Sequence, residues 1–497
     1  MSSELVIVYH RQPYEEVIED GKTVFKENKS PNGIVPTLKS FFGRVKNAAW
    51  VAWKEAEDTS NPGFERVIEI EDSFGRYTVS RLPLTKDQVS SFYHVTSKEA
   101  FWPILHGFKE KYNYDPVDWP TFKQVNWSFA EAAAAEAAQG ASVWVHDYNL
   151  WLVPGYLRQM RADVRISFFH HTPFPAADMF NVLPWRGEIV DSLLACDVVG
   201  FHIPRYASNF VSVVRSLRDV GHVPRKPVEP DFISDGSALS DRTVPTAIHT
   251  DERVVKLGTT PVGVDTSYIT QVAERPETAT RTEEVLNAMA GRRLILSVGR
   301  TDYTKGGAEQ LLTFERLLEK RPDMAQQLKL LHISVSANRN MTAYAEIQSE
   351  IEQIAGRING RFATFDRTPV SLISNAIPFE ELVSYYRAAD VAWITPLADG
   401  MNLVCKEFVA ARSDGDGVLI LSEFAGAAME MSSAILTNPY SNKSMDHAVE
   451  MALDMAEEDR RARMSELRRM VRTYNTEAWA RDQLALLNPE DFGTEAA

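Results

Sequence analysis

Short apolar runs recur along the chain, each separated from the next by a longer amphipathic or polar stretch. Residues 5–9, 143–146, 165–170, 197–202, 293–299, 329–336 and 390–396 are rich in Val, Ile, Leu and Phe and stop at Gly, Pro or polar residues. That is the pattern of strands buried on both faces. Residues 36–42, 130–138, 308–320 and 403–411 read as helices between them, 130–138 through its alanine run. Residues 445–486 read as charged helix, broken and recapped at Asn475-Thr476-Glu477. Strands that alternate with helices predict an α/β protein with parallel sheets. The Pro-rich, polar stretch 221–242 is expected to be a long irregular insertion.

Composition narrows the class. With 497 residues, 44% of them hydrophobic, there is enough chain for two or three domains with sizeable cores. The net charge of −15 argues against nucleic acid or an anionic membrane as the main partner. Cys196 and Cys405 lie far apart in apolar stretches, which suits a reducing compartment rather than a disulfide framework. No apolar run reaches the length of a membrane span, and Met1-Ser2-Ser3-Glu4 carries no basic signal region. A soluble, cytoplasmic protein is expected, and composition leaves homo-oligomerisation open.

The candidate chemistry gathers at strand ends. The run 390–396 stops at Pro396, turns through Asp399-Gly400 and hands over to helix 403–411. Unpaired N–H groups and the helix dipole at such a junction favour an anion. Glu407 lies about one turn deeper, within reach of whatever extends from it. A nucleoside diphosphate fits, with its ribose on the carboxylate; an ordinary strand-to-helix loop capped by Asp399 fits the spacing equally well. Arg300 and Lys305 bracket a short loop ahead of helix 308–320, and two cations there can hold a diphosphate. Arg11 follows the first strand, where open α/β sheets place ligands, and Asp147 and His171 end two others. Arg339 follows the strand 329–336. Tyr93 and Trp102 offer flat faces and polar edges to a small polyol or sugar, or serve as core aromatics.

Three metal- or phosphate-like patterns carry less. Gly21-Lys22-Thr23 has Glu16 where a P-loop needs glycine. His146, Asp147, His170 and His171 lack a helical or hairpin ligand spacing. Asp414-Gly415-Asp416 reads as a turn. No metal or other cofactor is expected.

Taken in order, from the first strand to about residue 480, these motifs resemble the trehalose-6-phosphate synthase family of retaining glycosyltransferases. The resemblance implies a GT-B fold, two doubly wound Rossmann-like domains facing across a cleft, the first 1–265 and the second 266–475, since residues 257–265 resemble the last strand before the domain crossover, with a final helix, about 476–497, packed back on the first domain. It implies a donor site of Asp399, Gly400, Met401, Asn402, Leu403, Val404 and Glu407, with Arg300 and Lys305 on the diphosphate. Ile377 and Pro378 would meet the base, and His171 the donor glucose. Asn32 and Gly33 match a loop over the sugar nucleotide that usually carries two glycines. For the acceptor it implies Arg11 and Arg339 on a phosphate, Tyr93 and Trp102 as a wall, and Asp147 on the attacking hydroxyl. Arg300, Lys305, Asp147 and His171 form the expected catalytic set.

Residues 9–14 and 29–34 resemble the glucosylglycerol branch. That branch implies ADP-glucose (or UDP-glucose) as donor, glycerol 3-phosphate as acceptor and a compatible-solute precursor, tied to osmotic stress and salt tolerance, as product. The trehalose branch would instead use glucose 6-phosphate with UDP- or ADP-glucose. A catalytically silent sugar-phosphate-binding regulator is the rival of another class, and intact Arg300, Lys305, Asp399 and Glu407 argue against it.

Overall fold

A computed structural model describes residues 2–27, 34–336 and 342–487. The chain forms two compact units. The first takes the chain as far as Val228, then Asp241–Pro261 and the chain from Glu477 onward; the second takes Glu229–Ser240 and Val262–Thr476.

Among the described residues the first unit is built on nine strands. Their order is Ala247–His249, Val254–Thr259, Val198–Phe201, Arg165–His170, Ala137–His146, Ser3–Val8, Ala48–Glu55, Gly75–Leu84 and Val67–Asp72. The two edge strands run antiparallel to their neighbours and all inner pairs are parallel. The strands Ser3–Val8, Arg165–His170 and Val198–Phe201 are buried along nearly their whole length, and residues 48–52 and 141–146 of two others throughout, as continuous apolar runs require.

The helix Trp119–Glu136 opens on Asp118, whose side chain accepts from Thr121 N, with Pro120 in its first turn. It stops at Glu136, so the alanine run does not continue as helix through 138. Ala137 already lies in a strand and pairs with Ser3, and that tertiary pairing overrides alanine's helical preference.

The last helix, Thr476–Leu487, sets Trp479 against Trp144, Phe41 and Phe169, with ring centroids 5.3, 5.7 and 5.3 Å away. Emptying such a buried indole site typically costs about 3–5 kcal/mol.

The second unit has six parallel strands among the described residues, in the order Val370–Ile373, Leu328–Val335, Arg293–Arg300, Val391–Ile394, Val418–Ser422 and Ile435–Thr437. Leu311, Phe314, Leu318, Ile358, Trp393 and Ile420 lie in its buried core.

The stretch 221–242 is not wholly irregular. Arg225–Pro227 pairs antiparallel with Thr243–Pro245, and Pro230–Phe232 makes a short 3-10 turn. Its middle belongs to the second unit, where Ala238 N donates to Glu423 O and the ring centroid of Phe232 lies 4.5 Å from that of Tyr474. The Asp414-Gly415-Asp416 stretch is a turn with Gly415 at φ +71°, and its carboxylates pair with Arg412 and Arg460. Ser90–Phe101 folds as a π-helix, a wide form that periodicity does not announce.

Both sheets reverse their strand order once near the middle. In the first unit this occurs between Ser3–Val8 and Ala137–His146, and in the second between Arg293–Arg300 and Val391–Ile394. Ligands of open α/β sheets bind at the carboxyl ends of strands at such points. Among the described residues no helix is long and apolar enough to cross a membrane.

Candidate active site

In the second unit, Arg300 ends one switch-point strand and stands exposed. Asp302 then accepts from Thr304 N and Oγ1, curling Tyr303–Lys305 into a 3-10 turn. Gly306 has φ +69°, and a Cβ there would lie 2.3 Å from Thr395 O at the end of the neighbouring strand. Only glycine lets the Lys305 loop lie so close.

Lys305 Nζ bonds Asp399 Oδ2 at 2.7 Å, tying the ends of the two switch-point strands together. The same oxygen accepts from Asn402 Nδ2 at 3.1 Å, and Asp399 Oδ1 accepts from Met401 N at 3.4 Å. Asp399 thus offsets part of the Lys305 charge.

The cap of helix Leu403–Ala411 is Asn402, not Asp399. At φ +80°, Asn402 turns its Oδ1 onto Cys405 N at 3.1 Å. Asp399, three residues ahead of the cap position, serves the ion pair instead. The first-turn N–H groups at Leu403 and Val404 have no intrahelical acceptor. The loop is pinned from behind, with Gly426 N on Asp399 O and Ala427 N on Met401 O. A Cβ on Gly426 would fall 2.1 Å from Gly400 O.

Glu407, one helical turn in, is buried, and its Oε2 accepts from Tyr386 Oη at 2.8 Å. Burial pushes its carboxyl from 4.5 up to about 7, against the Tyr386 bond. A raised carboxyl pKa means the folded state holds the proton longer. This group therefore costs stability as pH rises from about 4.5 to about 7. Next to it Lys406, fully buried, bonds both oxygens of Glu430 at 2.8 and 3.0 Å and Val262 O at 2.8 Å. Tyr386, Lys406, Glu430, Gly306 and Gly426 escaped sequence reasoning. Adjacent charges inside the apolar run 403–411 were the available signal, because a buried charge demands a partner.

In the first unit, Arg11 follows the strand Ser3–Val8 and its carbonyl accepts from Trp50 Nε1 at 2.8 Å. Its guanidinium is held charged by Tyr9 and Tyr93, the latter through a side-chain hydrogen bond. His10 is buried, and burial holds its ring neutral.

Asp147 ends the adjoining switch-point strand at φ 70°, ψ 163°. That region is nearly reserved for glycine and costs a side-chain-bearing residue about 1–3 kcal/mol. Its Oδ1 accepts from His171 N at 3.2 Å, and burial pushes its carboxyl up to about 6. His171 is kept neutral by burial, and its Nε2 lies 3.2 Å from His146 Nδ1. His170 turns to Thr172 O instead. Among the described residues no group of three or more His, Cys, Asp or Glu is arranged to hold a metal ion.

Tyr93 is half-buried, while Trp102 is only 6% exposed, its ring 3.9 Å from that of His106. Lys98, between them in sequence, went unnoticed; its ammonium lies 4.0 Å from the Trp102 ring centroid. Ile377 and Pro378 sit in the loop before helix Phe379–Ala388. Asn32, Gly33 and Arg339 lie outside the described residues.

Residues 3–489 match the model of Glycosyltransferase family 20. The glucosylglycerol-phosphate synthase of a Synechocystis strain is 48% identical over 480 residues, covering 97% of this chain and 96% of that protein. A Mycobacterium trehalose-6-phosphate synthase is 36% identical over 481 residues, covering 96% and 94%. Among solved structures, the E. coli trehalose-6-phosphate protein bound with UDP-2-fluoro glucose has a TM-score of 0.83 at 25% identity, covering 97% of this chain and 98% of that one. A Burkholderia xenovorans α,α-trehalose-phosphate synthase (UDP-forming) in complex with glucose-6-phosphate also scores 0.83, at 28% identity, covering 97% and 100%.

Proposed function

The chain belongs to glycosyltransferase family 20, and from that premise we propose that it moves glucose from ADP-glucose to glycerol 3-phosphate, with retention at the anomeric carbon. The product is glucosylglycerol phosphate. The acceptor reading is supported by relatives named for that product at 48% identity, against 36% for relatives named for trehalose 6-phosphate. The chemical reading is carried by one observation. Arg300, Lys305 and Asp399 flank the switch point of one sheet, and Arg11 and Asp147 flank that of the other.

In this account the bond from the anomeric carbon to the diphosphate breaks as the acceptor oxygen bonds to the same face. Arg300, Lys305 and the N-terminal amides of helix Leu403–Ala411 stabilise the charge that develops on the diphosphate. Asp147 accepts a hydrogen bond from the attacking hydroxyl, and the departing phosphate takes its proton. Neutral His171 hydrogen-bonds a glucose hydroxyl, and Glu407 accepts from the ribose. The anomeric proton resonance of the product tests retention: an α-glucoside is expected, and a β-glucoside would contradict the account.

Two expectations arise here. The positive charge for the diphosphate comes from side chains and a helix end, so activity should survive exhaustive chelation. Loss on chelation, restored by one divalent ion, would contradict this. The second concerns pH. Glu407 is pushed up to about 7, so protonation below that pH removes the acceptor for the ribose hydroxyls. The donor KM should rise as pH falls below about 7, and Glu407→Gln should flatten that dependence while raising KM throughout. An unchanged donor KM profile in Glu407→Gln would remove Glu407 from the donor site.

A further inference from the structure

The acceptor-side residues of the first unit share their surroundings with a second cation. Lys98 belongs to the π-helix Ser90–Phe101. In that form hydrogen bonds span five residues, so Tyr93 and Lys98 line up along one face; in an α-helix they would point apart. The Lys98 ammonium lies 4.0 Å from the Trp102 ring centroid, 5.6 Å from Tyr93 and 5.9 Å from Tyr148. Tyr93 and Tyr148 also act on the Arg11 guanidinium. The Lys98 charge is felt at Asp147, and His10 feels both cations.

We infer that Lys98 is the cation that selects a short phosphorylated acceptor, its ammonium binding the phosphate beside Arg11 while the acceptor hydroxyl reaches Asp147. The inference rests on the function proposed above and names what sets its substrate. A phosphate monoester carries close to two negative charges at neutral pH, which one arginine does not match. Lysine supplies a point charge that does not constrain the angle of approach. The reach from hydroxyl to phosphate is shorter in a three-carbon acceptor than in a hexose 6-phosphate, by the width of the ring. A phosphate so close to the hydroxyl needs a cation close to Asp147. Lys98 is placed for this, its ammonium 5.9 Å from the ring of Tyr148, the residue next to Asp147, whereas Arg11 stands more exposed.

Steady-state kinetics of the full chain, Lys98→Met and Lys98→Arg test this, with ADP-glucose, glycerol 3-phosphate, glucose 6-phosphate and inorganic phosphate as a competing anion. Methionine keeps a long apolar stem against the rings, and the donor KM reports whether the variant is folded. Lys98→Met should raise the KM for glycerol 3-phosphate about 10- to 100-fold, the effect of one charge-assisted hydrogen bond. Inhibition by inorganic phosphate should weaken in parallel, the donor KM should hold, and Lys98→Arg should recover most of the loss. A glycerol 3-phosphate KM within about threefold of the parent, or an equal loss for donor and acceptor, would overturn the inference. Failure of the parent enzyme to use glycerol 3-phosphate at all would overturn both this inference and the function on which it rests. The parent measurement alone therefore separates the two failures.

Discussion

Arg300→Ala is expected to lower turnover by about 100-fold or more, the effect of removing one preorganised group that meets charge developing in a transition state. Stability should change little, because Arg300 stands exposed at the end of its strand and fills no core. The loss should fall on turnover more than on donor KM. Lys305 is already bonded to Asp399, so part of its charge is committed before a diphosphate arrives. The burden of stabilising the leaving group then falls on Arg300 and the helix end. Arg300→Lys should recover part of the rate, since a point charge replaces a fork that can bond two oxygens. An alanine variant with near-normal turnover would remove Arg300 from the chemistry.

Asp147→Gly should separate activity from stability in the opposite sense to most substitutions in a core. Turnover should fall about 100-fold or more, because the attacking hydroxyl loses the group that orients it. The fold should hold or gain. Asp147 sits at φ 70°, ψ 163°, and glycine relieves a backbone strain of about 1–3 kcal/mol. It also removes a carboxylate that burial disfavours. Asp147→Ala keeps the Cβ and the strain, so it should be as inactive as the glycine variant but less stable. Chemical denaturation of the three proteins measures this order. An active glycine variant would exclude Asp147 from the site. A glycine variant less stable than alanine would mean that the strain is not there to be released.

Local pattern revealed the elements, and distant pairing decided the site. The strands at 5–9, 293–299 and 390–396 were legible because an apolar run buried on both faces needs no partner to be recognised. Helix Leu403–Ala411 was legible because Pro396 and Asp399-Gly400 punctuate its approach. The reversal of strand order that pairs the strand before Arg11 with the one before Asp147, and the strand of Arg300 with the one that leads to Asp399, is a relation between strands far apart in sequence. No local window contains it.

The same holds for Gly426, whose missing side chain makes room for Gly400 O, and for the Lys305–Asp399 pair. Asn402 and Asp399 are both good caps, and only the backbone turn at φ +80° tells which one caps. Lys98 was hidden by the π-helix, which changes the residues that share a face. The roles assigned to Arg11, His171 and Ile377 came from family resemblance, since a strand-end arginine or histidine is ambiguous by itself.

The most direct test of the central claim is a single cross of two donors with two acceptors, read by product mass. ADP-glucose and UDP-glucose are each offered an equimolar mixture of glycerol 3-phosphate and glucose 6-phosphate. The account predicts that the mass of glucosylglycerol phosphate dominates and that ADP-glucose supports the faster reaction. Dominance of trehalose 6-phosphate would contradict the acceptor assignment.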